Sequence, residues 1–451
     1  MRISYRFYIA SILIGLISGI ICVVFRFCIN KVNEIRVSIF RDGDISDFQR
    51  VINSASNVKD IIFIVLTYLL LFVTTIIFLN IVHLIINKYP TTSGSGLPQT
   101  RALLEHKMKY NSPFKSVIAK FLGGIISIAS GLSLGREGSS VQMGSLIGYI
   151  FSRSFKVEKG NDNYLIAAGA GAGIAAAFTA PLASSILILE SLTNDGTSNV
   201  KKLTITTLLS GLCAGIVANY FFPTNIYSSI SITKPQLEQT SLLLIFILMA
   251  LLFSLFGKLF SYLLILIKMK YDKVMLNYKY RYYVIAFMIC IITFFYPSLV
   301  GGNQVFAIEI IENYDSNIFH NILIILILST TTIISNATGF PGGLFIPLLT
   351  IGALSGKIFC IILSGLNIVS IDCTGYFVLI GMSVLFISVV RTPLTGFVLI
   401  SEMTGIYEVM FPTLIVGILA YIITEVIKVR PIDDILYDIM MKKINIHSSY
   451  S

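Results

Sequence analysis

The chain has 451 residues, of which 55% are hydrophobic and only 12% are charged, and its formal net charge is +10. This composition is typical of an integral membrane protein and excludes a soluble domain. The positive charge indicates loops beside anionic lipid, and without a dense basic block it does not favour nucleic-acid binding. Six Cys and four His without metal-ligand spacing predict neither disulfides nor a metal site.

The N-terminal segment predicts a membrane helix that is retained in the mature protein. Arg2 and Arg6 precede an apolar run from Phe7 to Phe25 that lacks a small-residue cleavage site. A secretory signal peptide requires such a site, so we interpret the run as the first membrane helix. The two basic residues before it predict a cytoplasmic N-terminus.

Apolar segments recur along the rest of the chain, and several approach the roughly 20 residues that span a bilayer. They lie at 60–86, 115–133, 164–192, 203–222, 241–267, 282–300, 318–336, 344–368 and 376–427. Others are interrupted by Gly and Pro, which is tolerated at membrane depth only where the backbone is buried in protein or lines a cavity. The tail after Ile427 is short, so we predict a single membrane domain over residues 1–451 without a C-terminal regulatory domain.

Two interruptions are rich in glycine and lack Lys and Arg. The first, at 94–98, offers the hydroxyl group of Ser95 between two glycines. The second, at 337–347, predicts a helix start after its Gly-Gly pair, where the N–H groups of Leu344 and Phe345 have no intrahelical acceptor. Such dipoles suit a weakly held monovalent anion, which must also be able to leave. The alternative for each stretch is a tight packing turn.

A third interruption carries an adjacent Arg136 and Glu137 between Gly135 and Gly138. Ionisable residues at membrane depth cost about 2.5–3.5 kcal/mol each on insertion scales, so they usually line a polar pathway. Ser139 and Ser140, N-cap residue types, precede a helical pattern over 141–148, which puts the carboxylate of Glu137 at an anion-binding helix N-terminus. There it can occupy the anion site, or take a proton and leave. The alternative is an Arg–Glu pair at the membrane interface.

The chain also contains an internal repeat. Residues 180–190 match residues 392–402, and in each copy a Glu follows a Pro by nine positions. Upstream, three glycines share their spacing between the copies: Gly135, Gly144 and Gly148 match Gly343, Gly352 and Gly356. Interrupted segments in corresponding halves indicate a binding site at the membrane midplane of a transporter. We place the halves at about 5–222 and 241–440.

These three motifs, in this order and spacing, closely resemble the CLC family of chloride channels and chloride/proton exchangers over nearly the whole chain. The resemblance implies an all-α membrane fold of two inverted halves built from tilted, broken helices. It also implies a homodimer with one pore per subunit in the lipid bilayer of the plasma membrane, chloride as the transported ion, and no cofactor.

The resemblance also implies roles for individual residues. Ser95, with Gly96, corresponds to the central chloride site, and Glu137 to the external gate. Leu344 and Phe345 correspond to the amides that face the central ion. Arg136 and Gly138 are then expected beside the pathway.

Two positions depart from the exchanger pattern and leave the transport mode open. Ser191 follows Glu190 where the family's internal proton glutamate is expected, which favours passive conduction. Asp433 stands where a chloride-coordinating tyrosine is expected, and Tyr437 lies one helical turn later. Exchange of chloride for protons is favoured over a gated channel, because chains of this length without C-terminal domains resemble prokaryotic members. Asp433 either carries a proton near the inner mouth or caps the last helix and faces the cytoplasm.

An intramembrane hydrolase is the remaining alternative. Residues 131–135 fit the G-x-S-x-G pattern around Ser133. That pattern needs a strand-to-helix turn and a His/acid partner. The region is apolar and helical, and the scattered His residues offer no obvious base, so the sequence argues against this class.

Overall fold

The computed structural model describes residues 5–40, 58–155, 157, 161–192, 199–223, 232–275, 280–302 and 317–449. Within these ranges the chain forms sixteen α-helices and no β-strand longer than an isolated bridge. The helices are α1 Tyr5–Phe40, α2 Val58–Lys88, α3 Leu97–Leu104, α4 Pro113–Ala129, α5 Glu137–Ser154, α6 Asp162–Phe178, α7 Pro181–Leu187, α8 Val200–Phe221, α9 Gln239–Lys270, α10 Arg281–Phe295, α11 Ile318–Ala337, α12 Phe345–Gly365, α13 Thr374–Val390, α14 Pro393–Thr404, α15 Met410–Val426 and α16 Ile432–Ser449.

Seven helical segments of the described chain are long and apolar enough to cross a membrane. They include Phe7–Arg36, so the predicted first membrane helix is confirmed, although α1 continues beyond Phe25 to Phe40. Two of the seven lie in the protein interior, because 83% of the apolar window in α12 and 94% of that in α13 are buried. In α2 only 17% is buried, which places α2 at the lipid-facing periphery.

Several predicted apolar segments are divided in the structure. The segment predicted at 164–192 breaks between α6 and α7, and the segment at 376–427 contains α13, α14 and α15. Two of the three breaks fall at Pro181 and Pro393, which begin the following helices, and the third follows Gly405, the C-cap residue of α14. Proline lacks the N–H that a helix interior needs but fits the first helical position, so it ends one helix and starts the next.

The two copies of the repeat have the same structure. In the first, α5 crosses α6 at Gly144, where an added Cβ would lie 2.0 Å from the carbonyl oxygen of Gly169. In the second, α12 crosses α13 at Gly352, where an added Cβ would lie 2.6 Å from the carbonyl oxygen of Gly381. Such close backbone approach is the reason small residues mark helix crossings in membrane proteins.

The helices α6 and α13 also end alike. Thr179 and Arg391, at corresponding positions of the repeat, both adopt the left-handed conformation, with φ of 58° and 69°. This conformation is uncommon for residues with a side chain. The shared ending turns the chain into α7 and α14 in the same way in each half.

The halves meet at the two glycines that the repeat aligns. Gly135 and Gly343 form an antiparallel bridge in which each N–H donates to the other's carbonyl oxygen, at 2.8 and 2.6 Å. A reciprocal pair of hydrogen bonds between equivalent residues requires a local twofold relation between them. The inverted repeat is therefore centred on this bridge.

Candidate functional site

Three helix starts converge beside the central bridge. Gly96, at the N-cap of α3, has φ of 103°, and an added Cβ there would lie 2.3 Å from the carbonyl oxygen of Gly138. An added Cβ on Gly138, in the first turn of α5, would lie 2.1 Å from the carbonyl oxygen of Ser95 and 3.3 Å from Cα of Gly343. Only glycine permits this approach. The structure thus brings together the three glycine-rich motifs at 94–98, 135–138 and 343–347, the last of which lies more than 200 residues beyond the other two.

Glu137 is the first residue of α5 and is completely buried, at 0% exposure. Its side chain folds back over the bridge, so that Oε2 lies 2.1 Å from the position of a Cβ on Gly135 and 3.0 Å from that on Gly343. Neither carboxylate oxygen makes a hydrogen bond of normal geometry within the described residues, although the backbone N–H groups of Arg136, Glu137 and Ile346 lie close to the carboxylate. A buried carboxylate without such a hydrogen bond is costly, which is typical of a group that moves or changes charge.

The hydroxyl group of Ser95 also lacks a partner in the described chain, as does that of Ser139. Both atoms are buried. The hydroxyl group of Ser139 lies next to Gly124 of α4. Buried polar atoms are nearly always hydrogen-bonded, so the unpartnered groups of Ser95 and Glu137, whose motifs meet at Gly138, indicate a site for a polar ligand. Hydroxyl groups can donate to an anion.

The start of α12 follows the prediction closely. The helix begins at Phe345 with Leu344 as N-cap residue, and Pro347 lies in its first turn. The first N–H groups of a helix have no intrahelical acceptor, and the dipole concentrates positive charge there. Leu344 and Phe345 are both buried, so these N–H groups are shielded from bulk water.

The predicted N-cap of α5 was wrong. Ser139 and Ser140 lie inside the first turn, because the helix already starts at Glu137 with Arg136 as N-cap residue. The hydroxyl group of Ser140 donates to the carbonyl oxygen of Arg136 instead of capping the helix. The guanidinium group of Arg136 donates to the carbonyl oxygen of Ala177 at 2.9 Å, which turns it toward the end of α6.

One residue of the site was missed in the sequence. Lys120 of α4 is fully buried, and its Nζ donates to the carbonyl oxygens of Thr92 and Gly94 at 3.0 and 2.7 Å. The loop before Ser95 has no basic residue of its own, but α4 brings one to it. The sequence feature that could have identified Lys120 is that it is the only charged residue in the apolar run 116–129.

Ser191 and Glu190 lie in a π-helical turn that extends α7. The hydroxyl group of Ser191 donates to the carbonyl oxygen of Leu187. The carboxylate of Glu190 accepts hydrogen bonds from the backbone N–H groups of Leu394 and Thr395, both at 2.9 Å, and so caps α14. Neither side chain is engaged with the glycine motifs by a hydrogen bond in the described structure.

Asp433 and Tyr437 both belong to the last helix, α16, but their side chains have different surroundings. Asp433 is in the first turn of α16, and its Oδ2 is buried without a partner in the described chain. Tyr437, one turn later, donates its hydroxyl to Glu105 and accepts a hydrogen bond from Lys107. Tyr437 therefore faces the end of α3 rather than the glycine motifs.

The hydrolase pattern around Ser133 has no catalytic geometry. Its residues lie in the turn between α4 and α5, not between a strand and a helix. The hydroxyl group of Ser133 shares a hydrogen bond of 2.9 Å with that of Thr332.

Helices that cross a membrane, an inverted repeat and buried, unpartnered polar groups at its centre together define a multi-span membrane transport protein. A family model described as voltage gated chloride channel matches residues 76–425. The chain therefore belongs to this family, the CLC family, and is not an enzyme.

Individual relatives agree with this assignment. The H(+)/Cl(-) exchange transporter ClcA of Vibrio cholerae is 30% identical over 94% of this chain and 87% of its own length, and ClcA of Klebsiella pneumoniae is 26% identical over 93% and 85%. The crystal structure of a slow cyanobacterial Cl-/H+ antiporter superposes with a TM-score of 0.87 at 27% identity, covering 98% of this chain and all of that one. A CLC-type fluoride/proton antiporter, with a TM-score of 0.71 at 20% identity, shares the fold.

Proposed function

We propose that this chain exchanges chloride for protons across the membrane and that Glu137 is the gate of the pathway. The similar proteins named as H(+)/Cl(-) exchangers support the substrates. The observation that carries the role of Glu137 is its completely buried carboxylate, which lies on the central bridge and makes no hydrogen bond of normal geometry in the described chain.

The chemistry follows from the convergence of helix starts. A dehydrated chloride ion needs donors that replace its water, and the hydroxyl group of Ser95 with the first N–H groups of α12 supplies them without a direct fixed charge. An ionised Glu137 competes for the same positive potential, because its carboxylate is itself an anion at the start of α5. Protonation neutralises the carboxylate and lets it leave. Chloride passage is thereby coupled to the binding of a proton.

The test is transport from liposomes with chloride and pH recorded together. Wild type is expected to move protons against chloride, whereas Glu137→Gln and Glu137→Ala retain chloride flux and lose the proton flux. Glu408→Gln, which removes an exposed carboxylate paired with Lys234, is the matched control and is expected to keep both fluxes. Chloride flux without protons in wild type would instead assign passive conduction. A Glu137→Ala protein that folds but passes no chloride would remove Glu137 as the gate.

We also propose that the chain acts as a homodimer in the plasma membrane. On α8 the side chains of Leu212, Ile216 and Tyr220 are exposed at four-residue intervals, and Ile418, Ile422 and Val426 continue a similar stripe on α15. An apolar stripe at this spacing suits a partner helix. Counting fluorescently labelled subunits in liposomes tests the proposal, and a single subunit per active vesicle would contradict it.

A further inference from the structure

Ser95 lines a cavity of about 360 Å³, and one face of α16 forms part of the wall of this cavity. The α16 residues that line it are Leu436, Ile439, Met440 and Lys443. Asp433 precedes Leu436 by three positions and Met440 by seven, so it lies on the same helix face one turn closer to the start of α16. Asp433 is not itself a lining residue, but it lies one turn before Leu436, the first lining residue of α16, on the helix face that forms the wall.

The neighbouring contacts place that turn beside the chloride motif. Asp434 pairs with Arg101, and Tyr437 donates to Glu105, so the contacts advance together along α16 and α3. Two helices with this pattern run parallel, and their first residues lie at the same end. Ser95 immediately precedes the start of α3. Asp433 is thus within about one helical turn of the end that carries Ser95.

Other acidic groups of this region are already engaged. Glu105 accepts from Arg101 at 3.1 Å and pairs with Lys107 at 2.6 Å. The remaining pairs are Asp434 with Arg101, Asp272 with Lys443, and Asp438 with Arg430. Asp433 makes no ion pair in the described chain, and its Oδ2 is buried without a hydrogen-bond partner there.

We infer that Asp433 is the carboxyl group that carries protons between the inner cavity and the pathway controlled by Glu137, an inference that rests on the proposed exchange. A hydronium ion in the cavity loses a proton, so that one of its O–H bonds breaks as an O–H bond forms on the carboxylate. That carboxyl O–H bond then breaks as the proton forms an O–H bond to a water molecule on the pathway side, which regenerates the carboxylate. The hydroxyl group of Ser191 is not ionisable near neutral pH, so it cannot supply this step.

The charges around Asp433 agree with this role. Burial and, to a smaller extent, the neighbouring Asp434 raise the pKa of Asp433 to about 7, against the opposing effect of Arg101 of α3. The helix α13, which also packs on α16, carries no Asp, Glu, Lys, Arg or His. A carboxyl group that titrates near neutral pH is suited to proton transfer, because both of its states are populated.

The test compares Asp433→Asn with wild type in liposomes, with chloride efflux and proton uptake recorded together. Asp433→Asn is expected to retain chloride flux and to lose at least tenfold in protons moved per chloride, whereas Asp433→Glu keeps the coupling. Asp438→Asn, an exposed acid on the same helix, is the matched control and is expected to behave as wild type. Chloride flux reports that each variant is folded, and Asp433→Ser replaces the Asn variant if that protein is inactive.

The outcomes separate the two proposals. If wild type is coupled and Asp433→Asn is equally coupled, the relay is overturned while the proposed exchange stands. If wild type moves chloride without protons, the proposed exchange fails and the relay fails with it. Loss of coupling in Asp433→Asn but not in Asp438→Asn supports the relay.

Discussion

A single buried ammonium group organises the loop that carries Ser95. Lys120 donates to the carbonyl oxygens of Thr92 and Gly94, and Gly94 in turn exchanges backbone hydrogen bonds with Gly339 and Gly342 of the other half. In these contacts Lys120 therefore orients the backbone instead of pairing with a carboxylate.

Lys120→Met is expected to lower thermal stability and to weaken chloride binding about tenfold, equivalent to about 1.4 kcal/mol. The reason is that the carbonyl oxygen of Thr92 loses this donor, at a cost of about 1–3 kcal/mol for an unpaired buried group, while that of Gly94 keeps only the N–H of Gly342. Thermal unfolding in detergent and titration calorimetry with chloride measure the two effects. Lys115→Met, an exposed lysine of the same helix, is the control. Equal chloride affinity in Lys120→Met and Lys115→Met would contradict the role.

Asp433 gives a pH-dependent prediction. Its pKa is raised, by burial and then by Asp434, from 3.8 to about 7. Between about pH 4 and 7 the unfolded chain has lost this proton while the folded protein retains it, so this group makes the folded state less stable as pH rises through that window. Asp433→Asn removes the effect. The difference in melting temperature between Asp433→Asn and wild type is therefore expected to rise from pH 4 to 7 and then remain level. If the melting temperatures of the two proteins run parallel over this pH range, the pKa of Asp433 is not raised.

At the scale of elements, the two halves cap each other's short helices. Glu190, in the π-helical extension of α7, accepts hydrogen bonds from two backbone N–H groups at the start of α14. In return Glu402 of α14 accepts hydrogen bonds from the backbone N–H groups of Leu182 and Ala183 in α7, at 3.1 and 2.8 Å. The nine-residue Pro-to-Glu spacing of the repeat is thereby explained. Each Glu lies at the far end of one helix, where it reaches the start of its equivalent. Carboxylates at helix starts are favourable because they satisfy free N–H groups and oppose the dipole.

Removing either cap is expected to destabilise the protein by about 1 kcal/mol, as for other N-cap losses. Glu190→Ala, Glu402→Ala and the double variant form a cycle, measured as shifts in thermal unfolding in detergent. A coupling between the two sites is expected, because α7 and α14 pack on each other. Glu408→Ala, an exposed acid, is the control and is expected to stay within about 0.5 kcal/mol of wild type. If Glu190→Ala and Glu402→Ala lower the stability by no more than this control, the two residues do not act as helix caps.

At the scale of the whole molecule, the candidate chloride site belongs to neither half alone. Ser95 and Glu137 come from the first half, Leu344 and Phe345 from the second, and the Gly135–Gly343 bridge joins them. A ligand held by both halves stabilises the arrangement of the complete fold. Chloride binding and tertiary stability are therefore expected to be linked.

Chloride is expected to raise the melting temperature in detergent with a saturating dose response. Ligand binding to the folded state contributes about 2.7 kcal/mol at 100 times the dissociation constant. Gluconate at equal ionic strength is the control, because this organic anion is several times larger than the monatomic chloride ion and does not fit the same few donors. An identical melting temperature in chloride and gluconate would contradict a chloride site shared by the two halves.

The sequence by itself determined the class of protein, the helix starts near Glu137 and Phe345, and the two-fold repeat. These features depend on local physics: apolar segment length, the breaks that Gly and Pro impose, and residue spacing within one segment. The position of Glu137 at a helix start was predictable for the same reason, because Gly135 and Gly138 bracket the Arg136–Glu137 pair. Its burial without a hydrogen bond of normal geometry was not.

Only the tertiary structure decided which distant groups meet. Lys120 reaches Gly94 across 26 positions, and Glu190 reaches Leu394 across 204, by contacts that no local pattern encodes. The surroundings of Asp433 could not be predicted either, since the sequence was compatible with a helix cap and with a proton carrier at this position. Its burial and lack of a partner depend on how α16 lies against α3. Electrostatic environments are set by packing across the whole chain, so they become visible only when the two halves are assembled.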